Sequence, residues 1–162
     1  MPRKILVVGA GKSTSYLLDY FLEKARSEDL HLTIADLHPE NITESIKGHM
    51  ACSVLKLDIF DDETRKKLVK HCDIVVSMLP ASLHIQVAKD CIAFEKHLVT
   101  ASYVSEELKS LNEIVKAKKL IFMNEIGLDP GIDHMSAMQI INRIRESEGK
   151  MLLFESFTGG LV

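Results

Sequence analysis

The chain has 162 residues, 46% of them hydrophobic and 27% charged, and its net charge of −3 provides no basic face for nucleic acid. It contains no apolar run of the roughly 20 residues that a membrane span needs. With no leader pattern at the N-terminus, the cytoplasm is the expected location. A single α/β domain that buries a substantial core fits these quantities.

In chain order, residues 4–8 form the first expected strand, and Gly9-Ala10-Gly11 opens into a helical pattern over 13–26. That helix carries Leu17, Phe21 and Ala25 on one face, with Leu18 and Leu22 beside it. Gly9 permits a sharp turn at the strand end, and a side chain at Gly11 would hold the backbone away from a pyrophosphate. The helix behind them directs free N–H groups at an anion. Gly11-Lys12-Ser13 looks like the end of a P-loop, but position 6, where that pattern requires its first glycine, is Leu6. The dinucleotide reading is therefore preferred, although its third small position is Thr14.

A second strand, 31–35, ends at Asp36, placed to accept hydrogen bonds from a ribose 2′-hydroxyl. Its carboxylate would repel the 2′-phosphate of NADP, and no Arg follows within the next few residues, so NAD is expected over NADP. An acid after a strand is also an ordinary turn residue, and here the upstream glycines favour the cofactor role. The stretch 37–52 is the least patterned, helix or loop. Strands are expected near 53–58, 73–78, 97–100 and 120–124, and 104–118 reads as a helix with Leu108, Leu111, Ile114 and Val115 on one face. Six strands separated by crossovers predict a doubly wound parallel sheet, a Rossmann fold of order 3-2-1-4-5-6. Cys52, Cys72 and Cys91 are odd in number and set among apolar residues, so they read as thiols of a reducing compartment. The histidines lack ligand spacing, and no metal is expected.

Ligands of such sheets collect outside the carboxyl ends of the strands. Strand four runs into Ser77-Met78-Leu79-Pro80, strand five into Thr100-Ala101-Ser102-Tyr103, and strand six into Asn124 and the residues up to Pro130. Pro80 suits a chain passing the nicotinamide ribose, and it also suits a helix start. Asp129 and Pro130 fit the N-cap and first position of a helix reaching about Arg145. That helix is expected to pack on the sheet through Ile132, Met135, Ala137, Ile140, Ile141 and Ile144. His84 reads as a satisfied structural histidine rather than a base. Asp58, at the end of strand three, is a candidate for the adenine side or a solvent-facing acid. Tyr103 could bind a substrate carboxylate, assist proton transfer, or simply pack its ring. No residue stands out as the general acid or base.

Leu79-Pro80 with Leu83-His84, Thr100-Ala101-Ser102-Tyr103, Gly127-Leu128-Asp129-Pro130-Gly131-Ile132-Asp133-His134-Met135 and the closing Ser156-Phe157-Thr158-Gly159-Gly160-Leu161 together resemble the saccharopine dehydrogenase (glutamate-forming) family, also called saccharopine reductase. The resemblance runs from Gly9 to the last residue. It implies an NAD(P)-dependent oxidoreductase acting on a CH–NH group, which interconverts saccharopine with glutamate and 2-aminoadipate 6-semialdehyde in lysine metabolism. It also implies cofactor contacts at Gly9, Gly11, Lys12, Ser13, Asp36, Leu79, Leu128, Asp129 and Pro130, and substrate contacts at Ser102 and Tyr103. Two departures are Thr14 and Ala81, the latter standing where an aromatic residue is common in the family.

Family enzymes continue into a second, substrate-binding domain whose basic residues meet the substrate carboxylates. This chain offers only Arg143, Arg145 and Lys150 near its end. The expected organisation is therefore a dinucleotide-binding domain, 1–130, followed by a connecting helix and the first strand, 151–157, of a missing second domain. Such a fragment is expected to be inactive alone and to tend to self-associate, and residues 151–157 are expected to add to an edge of the sheet, to pair with another copy as a homodimer, or to be poorly ordered. The expected partner is a small amino-acid substrate, with neither nucleic acid nor membrane. Two other functions stay open: a non-catalytic module that reports NAD or NADH to a partner, and a dehydrogenase for another amino-acid-derived secondary amine.

Overall fold

Leu6, Val7, Val8, Leu32, Ile34, Ala35, Val75 and Leu98 are all at most 1% exposed, the pattern of strands covered on both faces. In the computed structural model, which describes residues 2–157 and 159, these runs become β1 (Arg3–Val8), β2 (Leu30–Asp36), β3 (Cys52–Lys56), β4 (Ile74–Ser77), β5 (His97–Thr100) and β6 (Phe122–Met123). Every pairing is parallel, and the order is β3-β2-β1-β4-β5-β6, as the sequence predicts. The order reverses between β1 and β4, where a crevice opens at their carboxyl ends.

The crossovers are α1 (Ser15–Lys24), α2 (Glu44–Lys47), α3 (Asp62–Lys70), α4 (His84–Ala93), α5 (Glu106–Ser110) and α6 (Asn112–Ala117), with α7 (Ile132–Glu146) after the sheet. Tight 3-10 turns occupy Lys12–Thr14, Pro39–Asn41 and Ala81–Leu83. Side chains alternate along β1, so Ile5 and Val7 join Leu18, Leu22 and Ile46 in one core layer. Leu6 and Val8 join Val69, Val87, Cys91 and Leu108 in the other. The expected helix over 104–118 is two short helices that meet at Leu111, the first capped by the Ser105 hydroxyl accepting from the Leu108 N–H at 3.2 Å.

One ion pair is buried between α3 and α4. Arg65, 3% exposed, donates from Nε to Asp90 Oδ2 at 2.6 Å, from Nη2 to Asp62 Oδ1 at 2.6 Å and from Nη1 to the Ile59 carbonyl. Burial opposes the guanidinium charge, and the two carboxylates overcome it, holding the Arg65 pKa above its ordinary value.

Three expectations fail at the C-terminal end. Helix α7 forms, yet none of its residues is buried: Ile132 is 58% exposed, Met135 61% and Ile140 58%, and Ala137, Ile141 and Ile144 are only half-buried, so the predicted burial of this face against the sheet does not occur. An amphipathic period shows that a helix has an apolar face, not what covers it. The N-cap is Gly131 rather than Asp129, because Asp129 and Pro130, joined by a cis peptide, belong to the preceding loop. Asp133 Oδ1 instead accepts from the Gly131 N–H at 2.9 Å. Residues 151–157 form no strand and pair with none of the six strands of the sheet. Thr158, Gly160 and Leu161 of the closing motif lie outside the described residues. Among the described residues, no helix is long and apolar enough to cross a membrane, and no group of three or more His, Cys, Asp or Glu could hold a metal ion.

Candidate functional site

Gly9 leaves β1 at φ +93°, and a Cβ there would lie 2.9 Å from the Met78 carbonyl oxygen. Its N–H donates to the Ala35 carbonyl at 2.9 Å, and the Met78 N–H donates to the Val8 carbonyl at 2.8 Å. The glycine turn is thus threaded between the ends of β2 and β4, where only a residue without a side chain fits. Gly11 differs: at φ −67° a Cβ would meet nothing within 4 Å. The fold does not require a glycine there, so its bare backbone is open to an approaching group. The following turn and α1 present the unpaired N–H groups of a helix start to the same space.

Thr14 closes this turn. It is 1% exposed, and among the described residues its Oγ1 is the buried side-chain oxygen or nitrogen with no hydrogen-bond partner. Thr14→Val keeps the shape and removes the orphan hydroxyl, so it is expected to raise stability by about 1 kcal/mol. The check is a higher urea midpoint at unchanged slope.

Asp36 holds the loop in place: Oδ2 accepts from the Ala10 N–H at 2.6 Å and Oδ1 from the His38 N–H at 2.7 Å. Directly opposite in register on β3 stands exposed Lys56, on the same face of the sheet. Glu40 is held below the usual carboxylate range by a backbone hydrogen bond first, then by His38, with Lys56 contributing. Gly9, Asp36, Asp58, Leu79 and Pro80 line one cleft of about 250 Å³ at the reversal point. Asp58 Oδ1 also accepts from the Phe60 N–H at 3.0 Å, shaping the cleft's far wall. An adjoining cleft of about 430 Å³ is bordered by Gly11 and Lys12. Another, of about 260 Å³ beside Val104, Leu108 and Phe122, contains none of the predicted site residues.

A second cluster sits over β5 and β6. Tyr103 Oη donates to Asp129 Oδ1 at 2.8 Å, a bond that holds the phenol pKa above its ordinary value. The His134 ring stands 6.4 Å away at 77°, and its hydrogen bond with Asp133 raises its pKa. The Glu125 N–H donates to the Ser102 carbonyl at 3.1 Å, and Glu125 Oε1 accepts from the Val104 N–H at 3.0 Å. These bonds join the loop after β5 to the loop after β6. Below them, His84 Nδ1 lies 2.8 Å from Ser77 Oγ and Nε2 lies 2.9 Å from Ser102 Oγ. Burial pushes the His84 pKa down, which keeps the ring neutral at pH 7.

Ser102, Tyr103 and Asp129 are therefore brought together, while Ser13, Leu128, Asp129 and Pro130 line neither of the two clefts beside the glycine turn. Lys56, Glu125 and the His84 bridge escape sequence reasoning. Strand register alone places Lys56 beside Asp36, and the other contacts join separate loops.

The sequence profile described as Saccharopine dehydrogenase NADP binding domain matches residues 5–123, and that of the Saccharopine dehydrogenase C-terminal domain matches residues 127–162. Alpha-aminoadipic semialdehyde synthase of Arabidopsis thaliana is 38% identical over 97% of this chain and 16% of its own length. Saccharopine dehydrogenase [NADP(+), L-glutamate-forming] of Saccharomyces cerevisiae is 35% identical over 99% of this chain and 35% of its own length. The apo structure of the histidine-tagged L-Glu-forming saccharopine dehydrogenase from Saccharomyces cerevisiae superposes with a TM-score of 0.79 at 29% identity, over 90% of this chain and 32% of that one. The chain thus spans between 16% and 35% of the length of these curated relatives.

Proposed function

Since this chain belongs to the saccharopine dehydrogenase family, we propose that it is the cofactor-binding part of an oxidoreductase that interconverts saccharopine with glutamate and 2-aminoadipate 6-semialdehyde, a step in lysine metabolism. The observation that carries the reading is the pair of glycines at the reversal of strand order, Gly9 wedged against Met78 at one cleft and exposed Gly11 bordering the next. These residues fit a nicotinamide dinucleotide, which when bound supplies the hydride acceptor or donor. Gly9 and Gly11 let the backbone approach the pyrophosphate, and Lys12, Ser13 and the start of α1 offer it N–H groups and charge. Asp36 and Asp58 border the adenosine end, with Lys56 in register beside Asp36, and Leu79 and Pro80 wall the path towards the nicotinamide, while Leu128, Asp129 and Pro130, which line neither cleft, are cofactor contacts on the strength of the family resemblance. Ser102 and Tyr103 bind the substrate. We assign further cations for the substrate carboxylates to the part of the relatives that this chain does not span. The relatives named above are enzymes, which gives a non-catalytic sensor no support.

We further propose that residues 1–130 form the dinucleotide-binding domain and that 131–162 are the connecting helix and the start of a second domain, a division supported by the separate profile matches over 5–123 and 127–162 and not by the packing of α7, which buries none of its residues. A homodimer that covers the exposed apolar residues of α7, and a reducing cytoplasmic location suited to the free Cys52, Cys72 and Cys91, complete the reading.

NAD is what Asp36 suggests from sequence alone, whereas the family profile and the yeast relative carry NADP in their names, and NADP is the form favoured here. Two observations support it. Both Asp36 oxygens already hold backbone N–H groups, and Lys56 supplies beside it the cation that the local sequence lacks. Calorimetric titration is expected to give tighter binding of NADP than of NAD. Lys56→Ala should weaken NADP binding by about tenfold and leave NAD unchanged, the loss of one charge-assisted phosphate contact. Tighter binding of NAD would overturn the NADP reading, and binding of neither would overturn the cofactor site.

A further inference from the structure

Ser77 ends β4 with 0% exposure, and His84, 1% exposed, opens α4 above it. Among the described residues, the one partner of the Ser77 hydroxyl is His84 Nδ1, and the one partner of the Ser102 hydroxyl is His84 Nε2. Hydrogen-bond accounting decides the direction. If Nδ1 carried the ring hydrogen, the buried Ser77 O–H would have no acceptor, a costly arrangement. Ser77 must therefore donate to Nδ1, and a neutral imidazole then carries its hydrogen on Nε2 and donates it to Ser102 Oγ. The Ser102 oxygen accepts that bond on one lone pair, its own O–H is left without an internal acceptor, and the residue is only half buried, on the rim beside Tyr103.

We propose that His84 is a positioning residue: through the one-way chain Ser77 to His84 to Ser102 it fixes the Ser102 hydroxyl as a hydrogen-bond donor to a carboxylate of the bound amino-acid substrate. The ligand half of this statement rests on the reading of Ser102 as a substrate contact. The direction of the chain does not. His84 neither touches the reacting atoms nor serves only to fill the core, because its tautomer sets which end of Ser102 faces the ligand.

The test is a two-bond proton–nitrogen NMR correlation of the imidazole rings in the whole chain, labelled at histidine, at pH 7. The expected result is a neutral His84 ring with its hydrogen on Nε2, and Ser77→Ala should bring in the Nδ1–H form by removing the donor that excludes it. A wild-type ring that is Nδ1–H or charged would overturn the proposal whatever the substrate. Titration with saccharopine in the presence of NADP tests the ligand half. Ser102→Ala and His84→Leu should each weaken binding by about tenfold, the double variant no more than either alone, and His84→Gln, which keeps a donor near Ser102, should recover part of it. An Nε2–H ring together with unchanged saccharopine affinity in Ser102→Ala would overturn the assignment of Ser102 as the substrate contact and leave the direction of the chain standing.

Discussion

Replacing Asp90 with alanine is expected to lower the stability of this chain by about 3–5 kcal/mol. The side chain of Arg65 is 4% exposed, and Asp90 Oδ2, 2.6 Å from its Nε, is the one buried carboxylate among the described residues that balances its charge. Asp62 also meets Arg65 at 2.6 Å, but its side chain is 64% exposed and water already screens it. Removing Asp90 leaves a cation between α3 and α4 that neither the Ile59 carbonyl nor Asp62 can neutralise. Asp62→Ala should therefore be much milder. The double replacement Arg65→Met with Asp90→Leu should recover most of the loss, because breaking a buried pair costs far more than exchanging it for apolar volume. Urea unfolding of the four proteins, compared at matched slopes, checks the ranking. Equal losses for Asp62→Ala and Asp90→Ala would show that burial does not control the pair.

Gly9→Ala and Gly11→Ala are expected to separate folding from binding. At Gly9 a methyl group must accept φ +93°, worth about 1–3 kcal/mol of strain, and must also displace the Met78 carbonyl 2.9 Å away. The variant is expected to lose stability and, with the turn shifted, dinucleotide affinity. At Gly11 the methyl meets no protein atom within 4 Å, so stability should hold or rise by a few tenths of a kcal/mol through the unfolded chain. Dinucleotide affinity should still fall more than tenfold, because the methyl occupies the face where the pyrophosphate approaches. Wild-type affinity in Gly11→Ala would remove the phosphate from this loop.

Much of the architecture is legible in the chain. The six strand segments and their order follow from short β-branched runs separated by crossovers, a pattern that reports burial on both faces directly. Gly9, Asp36, Asp58, Leu79 and Pro80 fall on one cleft for the same reason, since each follows a strand and strand ends converge. What local sequence does not carry is partnership. The apolar stripe of α7 has no cover in the structure, 151–157 has no neighbouring strand, and Asp129 spends its carboxylate on Tyr103 rather than on a helix cap. Lys56 matters to Asp36 only through register, so reading onward from Asp36 finds no cation for a phosphate.

The loop from Gly127 to Ile132 is closed on itself. The Gly127 N–H donates to the Pro130 carbonyl at 2.8 Å, and the Gly127 carbonyl accepts from the Ile132 N–H at 3.0 Å. A Cβ on Gly131 would lie 2.2 Å from the Gly127 oxygen, so the ring leaves no slack. Helix α7 buries none of its residues, so the bonds within this ring, rather than contacts of the helix, fix the place of Asp129 and with it the Tyr103 hydroxyl that Asp129 holds.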